Sequence, residues 1–296
     1  MSILDQMSKD QVDGSEWWRS RNRISRSQSC FWLIALMGLG ASSVCADEDI
    51  SALKRACAKE NMEKCSMVGA LYYKGKGVAR NYARAVALFK KACNGGDTSG
   101  CIGLGLAYET GNGAAQDFVR ATDLYKKACS GGETKGCSNL GLMYQNGKGV
   151  AKDQSRATPL FKLACDGGDA EGCYNLAHEY YSGLGVAPDY PLAARLNEKA
   201  CDGGELEGCS SLGSMYATGA GVEKDHSRAT ALFARSCDGG ESAGCFNLGI
   251  DYYTGQGVAK DDARAAALFK QACHGGHVAA CENLKKLSEK LGQSTR

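Results

Sequence analysis

The chain has 296 residues, of which 39 are Gly, 16 are Cys and only 3 are Pro, and its formal net charge is +2. Apolar residues make up 44% and charged residues 23%, a balance typical of folded globular proteins. These numbers exclude a collagen, a mucin-like stalk and a protein that binds nucleic acid through a strongly basic charge.

The first predicted element is a secretory signal peptide, residues 1–46. Arginines between positions 19 and 26 precede an apolar stretch at 30–40 that is too short to span a bilayer. Val44 and Ala46 fit the −3 and −1 positions of a cleavage site. We therefore expect cleavage after Ala46, export to the periplasm or the medium, and no membrane span in the mature chain. An uncleaved signal anchor and a lipidated Cys45 are the alternatives.

The cysteines after residue 46 follow one regular spacing. The two members of each pair are eight residues apart, and successive pairs begin 36 residues apart. An even number of cysteines in an exported chain favours disulfides, whereas the spacing does not fit a zinc site. We predict these seven disulfides: Cys57–Cys65, Cys93–Cys101, Cys129–Cys137, Cys165–Cys173, Cys201–Cys209, Cys237–Cys245 and Cys273–Cys281.

The same 36-residue period predicts two helices in each unit. Counted from the second cysteine of a pair, columns one, four, five and eight hold Cys137, Leu140, Gly141 and Tyr144 in the third unit. These positions form one face of a first helix. A G-x-G break ends it, and Asp153 stands at the N-cap of a second helix that ends at A-C-x-G-G. These glycines follow no strand, so they do not predict a nucleotide-binding loop.

The period also predicts the domain organisation. The fold class is all-α, an α-solenoid in the form of a right-handed superhelix built from disulfide-clipped αα-hairpins. The expected segments are a signal peptide (1–46), an N-terminal capping helix (47–64), six repeats (65–280, divided into 65–100, 101–136, 137–172, 173–208, 209–244 and 245–280) and a C-terminal capping helix with its tail (281–296).

The repeated motif resembles a known family. The string L-G-x-x-Y-x-x-G-x-G-V-x-x-D-x-x-R-A, followed by L-F-x-x-A-C-x-x-G, resembles the Sel-1-like repeat, a helical hairpin related to the tetratricopeptide repeat. The resemblance covers about residues 50–290. Its cysteine spacing is similar to that of the Helicobacter cysteine-rich (Hcp) proteins, some of which carry β-lactamase or penicillin-binding names. The resemblance therefore implies β-lactam binding or weak hydrolysis as one function to consider.

Columns two, three, six and nine of the first helix lie opposite the repeated columns, and this face of a helical solenoid lines its concave groove. Aromatic and amide side chains at these positions are typical of a surface that binds a protein or peptide. The candidate groove residues are Tyr73, Asn139, Tyr174, Asn175, His178, Tyr181, Phe246, Asn247 and Tyr253. The alternative is that they only complete the solvent-facing side of each helix.

The sequence contains no catalytic constellation. Of the serine β-lactamase motifs only S-x-x-K occurs, at Ser51–Lys54, and about one to two such matches are expected by chance. Tyr144 and Asn146 fit a looser Y-x-N pattern, but Tyr144 belongs to a repeated column. We predict no catalytic residue, no metal and no cofactor.

The preferred function is an exported scaffold that binds a protein or peptide in its groove. The alternative is a β-lactam-binding protein with weak β-lactamase activity, whose ligand is a β-lactam or a peptidoglycan-like molecule.

Overall fold

A computed structural model describes residues 42–294, and these residues form fourteen helices and no strand. The helices are α1 (Ser42–Ala58), α2 (Met62–Lys74), α3 (Tyr82–Asn94), α4 (Thr98–Thr110), α5 (Phe118–Ser130), α6 (Thr134–Asn146), α7 (Gln154–Asp166), α8 (Ala170–Ser182), α9 (Tyr190–Asp202), α10 (Leu206–Thr218), α11 (His226–Asp238), α12 (Ser242–Thr254), α13 (Asp262–His274) and α14 (Val278–Ser294). The predicted class, an all-α solenoid, is confirmed.

Each repeat unit is one hairpin of two helices. The first helices of units one to six are α2, α4, α6, α8, α10 and α12, and the second helices are α3, α5, α7, α9, α11 and α13. Every helix packs on the next one along the chain. The first helices begin three residues before the cysteine that opens each predicted unit, as Thr134 precedes Cys137. The predicted capping segment 47–64 contains the end of α1 and the first turn of α2.

Two kinds of residue fix where the first helix of each unit ends and the second begins. The predicted N-cap residues of the second helices accept a hydrogen bond from the backbone N–H three residues later: Asn81, Asp117, Asp153, Asp189, Asp225 and Asp261. The first glycine of each G-x-G break ends the first helix in the left-handed conformation, as Gly147 does at φ +68°. Both predictions are confirmed, and the chain reverses direction at fixed positions in every unit.

The buried core lies between the two helices of each unit, and disulfide bonds join successive units. All seven predicted cysteine pairs are bonded, each linking the end of one helix to the first turn of the next first helix. Inside unit three, the buried ring of Phe161 lies against Gly141, where a Cβ atom would be 2.6 Å from the ring. Glycine at column five thus allows the aromatic side chain of the second helix to pack closely.

The Tyr side chains of column eight contact arginines of the second helix of the same unit. In unit three the Arg156 guanidinium donates to the Tyr144 hydroxyl at 3.3 Å and sits 5.5 Å from the ring centroid. Equivalent arginine–tyrosine contacts occur at Arg84–Tyr72, Arg120–Tyr108, Arg228–Tyr216 and Arg264–Tyr252. Unit four has Leu192 at the arginine position, so its pattern differs from that of its neighbours.

The curvature of the stack puts the first helices on the inside. Contacts join the first helices α2 and α4, α6 and α8, and α10 and α12, whereas no contact of similar extent joins successive second helices in residues 42–294. Helices that approach one another across units line the inner side of a curved stack. The first-helix face is therefore the concave face.

The predicted signal peptide falls almost wholly on residues that the structure does not describe, so cleavage after Ala46 stays a prediction. Across residues 42–294, no helix combines the length and the apolar character needed to cross a bilayer.

Candidate binding groove

Three cavities open along the first-helix face, two of them between neighbouring first helices and the third between α12 and the C-terminal helix α14. Their volumes are about 430 Å³ between α2 and α4, about 250 Å³ between α8 and α10, and about 210 Å³ between α12 and α14. We call this row of cavities the groove. A residue of the intervening second helix lines each cavity: Phe89, Asn197 and Phe269, respectively.

The predicted residue Tyr73 lines the first cavity, where neighbouring residues hold it. Its hydroxyl lies 3.0 Å from the Thr110 hydroxyl and accepts a hydrogen bond from the Asn112 amide at 3.2 Å. Its ring packs edge-on against Tyr82, with the ring centroids 5.0 Å apart. The most exposed apolar residue of this cavity is Met67, at 42% exposure. Tyr73 is thus a wall of the cavity with a fixed orientation.

The central cavity brings together three of the predicted residues. Tyr174, His178 and Tyr181 of α8 face Ser211 and Met215 of α10 across it. Tyr181 is 45% exposed, whereas Tyr174 is half-buried. Burial and the negative charges of Glu207, Glu205 and Glu241 raise the pKa of the Tyr174 phenol. This part of the groove therefore combines two tyrosine side chains, a histidine at the surface and nearby negative charges.

Of the residues predicted near the third cavity, Tyr253 lines it and Phe246 does not. Tyr253 lines the cavity with Ile250 and Leu287, and the ammonium group of Lys260 lies 5.4 Å from its ring centroid. Phe246, by contrast, stacks on the His277 ring with centroids 4.2 Å apart. Phe246 is half-buried and contributes to packing between α12 and the end of the solenoid.

The three column-three asparagines, Asn139, Asn175 and Asn247, are half-buried on the same face and line none of the three cavities. The buried Asn175 Nδ2 has no hydrogen-bond partner within the described part of the chain. Column two is less open than the helical wheel predicts, because its serines Ser66, Ser138 and Ser210 are buried. Neighbouring units cover this edge of the first helix.

A cluster of carboxylates borders the central cavity at the start of the first helices. Burial and hydrogen bonding to Glu207 raise the pKa of Glu205 to about 7, and the charge of Glu171 adds to this effect. Lys135 forms an ion pair with Glu171. Glu171 and Glu205 lie near Lys135, and Glu205, Glu207 and Glu241 lie near Tyr174, so the region carries an excess of negative charge.

A buried acid, Glu179 of α8, lies beneath the groove. It is fully buried, the Gln154 amide donates to one of its carboxylate oxygens, and the other has no hydrogen-bond partner in the described residues. Burial raises its pKa, while the Thr158 and Gln154 side chains act in the opposite direction. Units three and five place Met143 and Met215 at this position, whereas unit six has a second buried acid, Asp251. The Glu179 carboxylate has a partner for only one of its oxygens, so its burial is expected to destabilise the fold.

We expect Glu179→Met to raise the free energy of unfolding at pH 8 by about 1–2 kcal/mol. Because the pKa is raised above its ordinary value of 4.5 in the folded state, the folded protein holds the proton more tightly. The destabilisation by the ionised Glu179 carboxylate is therefore absent below pH 4.5, where the group is protonated in both states, and it grows as the pH rises above that value. Urea denaturation at pH 4 and pH 8 measures the difference. The exposed Glu198→Met is the control, and an equal gain for both variants at both pH values would contradict the assignment.

Analysis of the sequence missed Asn197, Ser211 and Met215 as cavity residues. The available signal was Asn197, since the corresponding positions of the other units are Phe89, Tyr125, Phe161, Phe233 and Phe269. Ser211 and Met215 belong to the next unit, so a single-helix projection could not place them beside Tyr174.

The β-lactam alternative gains no support from the geometry. Ser51 lies exposed on α1 and lines none of the three cavities of the groove. In residues 42–294 no three His, Cys, Asp or Glu side chains come together in a way that could hold a metal ion.

The fold and the groove define the class of protein as an α-solenoid of disulfide-clipped helical hairpins. The Sel1 repeat model matches six consecutive segments: 65–97, 98–133, 134–169, 170–205, 206–241 and 242–277. The chain belongs to the Sel1 repeat family, and the resemblance seen in the sequence is confirmed. None of the curated proteins compared with the chain matches it.

Two solved structures with similar folds agree with this assignment. The antigen c5321 of uropathogenic Escherichia coli, described as a protective antigen with an SLR fold, is 31% identical with a TM-score of 0.66, and the match covers 81% of this chain. It covers 52% of that chain, so the present chain spans about half its length. A Sel1 repeat protein from Oxalobacter formigenes is 25% identical with a TM-score of 0.67, covering 79% and 97% of the two chains. Cysteine rich protein B of Helicobacter pylori is 28% identical over 45% of this chain and 98% of its own, with a TM-score of 0.37.

Proposed function

We propose that the protein is an exported scaffold that binds an extended segment of a partner protein along the groove. The observation that carries this proposal is the row of three cavities along the first-helix face. Two of them are below the size range of about 300–1,000 Å³ typical of sites for drug-sized ligands, so they suit single side chains. An extended peptide presents side chains at regular intervals and can fill such a row.

The side chains in the groove support peptide binding over a merely solvated surface. Tyr181 and Tyr253 are exposed aromatic residues, the type that most often anchors a protein interface. A peptide bound along the groove would cover these aromatic side chains and remove their apolar surface from water.

The location proposed for this function is outside the cytoplasm. Seven disulfides form and persist in oxidising compartments, and they make an extracytoplasmic location the natural setting for the fold. We propose that the signal peptide directs the chain there and is removed after Ala46.

Truncation of Tyr181 to alanine is expected to weaken partner binding about thirtyfold, because removal of an aromatic anchor costs about 2 kcal/mol or more. A photo-crosslinking amino acid placed at Tyr181 or Tyr253 first identifies the partner, and titration with the purified partner then gives the dissociation constant. The melting temperature should change by only a few degrees, since Tyr181 is exposed and lies outside the disulfides.

The control for this experiment is Lys162, an exposed residue on the second helix α7. A crosslinker at Lys162 should capture none of the same partner, and Lys162→Ala should leave the dissociation constant unchanged. Equal crosslinking at the two surfaces, or normal binding by the Tyr181→Ala protein, would show that the partner does not use the groove.

A further inference from the structure

The cavity between α2 and α4 is the largest of the three, at about 430 Å³, and its walls are mostly apolar. Side chains of both first helices and of α3 form these walls: Met67, Ala70, Phe89, Ile102 and Leu106. Met67 and Leu106 are 42% and 39% exposed, so two large apolar side chains meet water where the cavity opens. An apolar group that enters the cavity removes this surface from water, which lowers the free energy.

A glycine gives this cavity an aromatic base. Gly103 occupies column three of unit two, where units three, four and six have asparagine. A Cβ atom at Gly103 would lie 2.6 Å from the Phe89 ring, so a larger residue would not fit there. Within residues 42–294, no residue that lines the cavity has a buried side-chain polar atom without a hydrogen-bond partner. The cavity therefore suits an aliphatic side chain and needs no polar group from a ligand.

The groove has the opposite chemistry three units further on, beside the central cavity. Glu205 is at the N-cap of α10 but makes no capping hydrogen bond, and its carboxyl group contacts that of Glu207 in the first turn. Two carboxylates in contact need a proton or a cation between them. Lys135 is the base that acts on Glu205, and it is already paired with Glu171. The two glutamates are thus available to positive groups of a ligand.

We propose that the groove binds a partner segment that carries an apolar side chain and, three repeat units away, two consecutive basic residues. The apolar side chain enters the cavity between α2 and α4, and the basic residues lie beside Glu205 and Glu207. This inference rests on the proposed function of the groove. Burial of the apolar group supplies affinity, and the complementary charges fix the orientation of the segment along the solenoid.

The length of the solenoid between the two sites sets the spacing in the ligand. Packed helices lie about 10 Å apart, so three units correspond to about 30 Å along the first-helix face. An extended peptide rises by about 3.3 Å per residue, so about nine residues separate the apolar residue from the basic pair. A shorter segment reaches only one of the two sites at a time. This dependence on length distinguishes the proposal from unspecific apolar or ionic contact.

Defined peptides test the pattern on the full mature protein, with binding followed by fluorescence anisotropy. The reference peptide has a leucine, a spacer of about eight Gly and Ser residues and two lysines, and it is made in both chain directions. Replacing the leucine by serine should weaken binding about tenfold, and replacing both lysines by glutamine should weaken it several-fold at low salt. Shortening the spacer to about two residues should weaken binding about tenfold. Failure of the reference peptide to bind in either direction, or equal binding of any of the three altered peptides, overturns the inference.

A variant of the first cavity locates the leucine. Met67→Glu puts a charge where the cavity opens, so it should weaken binding of the reference peptide about tenfold and remove the preference for leucine over serine. The matched control is Leu163→Glu, because Leu163 is an exposed apolar residue of the second helix α7. The control should bind the reference peptide as the unchanged protein does. Equal effects of the two variants would contradict the placement of the leucine.

Reversal of charge locates the basic pair. Glu205→Lys combined with Glu207→Lys should bind the reference peptide several-fold more weakly and should prefer a peptide with two glutamates in place of the lysines. The protein should stay folded, since the Glu205 side chain does not cap α10. The control is Glu198→Lys combined with Glu223→Lys, two exposed glutamates outside the groove, and it should keep the preference for lysines. A retained preference for lysines in the first variant, or a lost one in the control, overturns the assignment.

The natural partner separates this inference from the proposed function. Groove crosslinks from a partner segment without an apolar residue and a basic pair at this spacing would leave the proposed function standing and reject the inference. Peptide preferences as expected, with the partner crosslinked to the second-helix surface instead, would support the chemistry of the groove and reject the proposed function.

Discussion

Reduction of the disulfides is expected to lower the melting temperature of the protein by tens of degrees. Each bond closes a short loop of the same length, and the chain-entropy relation gives about 2.5 kcal/mol for such a loop. Seven loops together give about 17 kcal/mol, more than the stability of about 5–15 kcal/mol that is usual for a folded domain. Circular dichroism of the mature protein with and without a phosphine reductant, followed during heating, measures the change.

A single central pair provides the matched comparison. Cys165→Ala combined with Cys173→Ala removes one bond from the middle of the solenoid and should cost about 2.5 kcal/mol while the protein stays folded. If the fully reduced protein melts at the same temperature as the oxidised one, the helices hold together by packing alone. The role assigned to the disulfides would then be wrong.

The second large effect is expected at Gly149, the second glycine of the G-x-G break in unit three. Its φ of +71° is in the left-handed region, and an added Cβ atom would collide with the backbone carbonyl of Phe118 in the preceding unit. Gly149→Ala should therefore lower the free energy of unfolding by about 3 kcal/mol or more, since both backbone strain and overpacking act together. Guanidinium denaturation followed by circular dichroism gives the value.

The variant Gly168→Ala distinguishes the cost of backbone strain from the cost of overpacking. Gly168 has a φ of +90°, and no described atom lies within 4 Å of the position that its Cβ atom would take. Gly168→Ala should cost only the left-handed strain, about 1–2 kcal/mol. Equal losses for the two variants would show that close packing between units at Gly149 does not matter.

Sequence alone determined the elements that depend on neighbouring residues. The cysteine pairs, the N-cap at Asp153 and the left-handed Gly147 all act within a turn or across one loop, and the structure has them as predicted. The period repeats these local rules six times, so the hairpins and their stacking could be derived without a structure. The Sel1 repeat assignment rests on the same local columns.

Only the tertiary structure decided which groove residues remain open and where a pocket forms. Phe246 is covered by His277 of the following turn, whereas Tyr181 stays exposed, although a helical wheel treats them alike. The central cavity depends on Asn197, Tyr174 and Met215, which come from three different helices in two units. The physical reason is that the walls of each cavity come from neighbouring units, and the space left between them depends on how those units pack, which no single helix reveals.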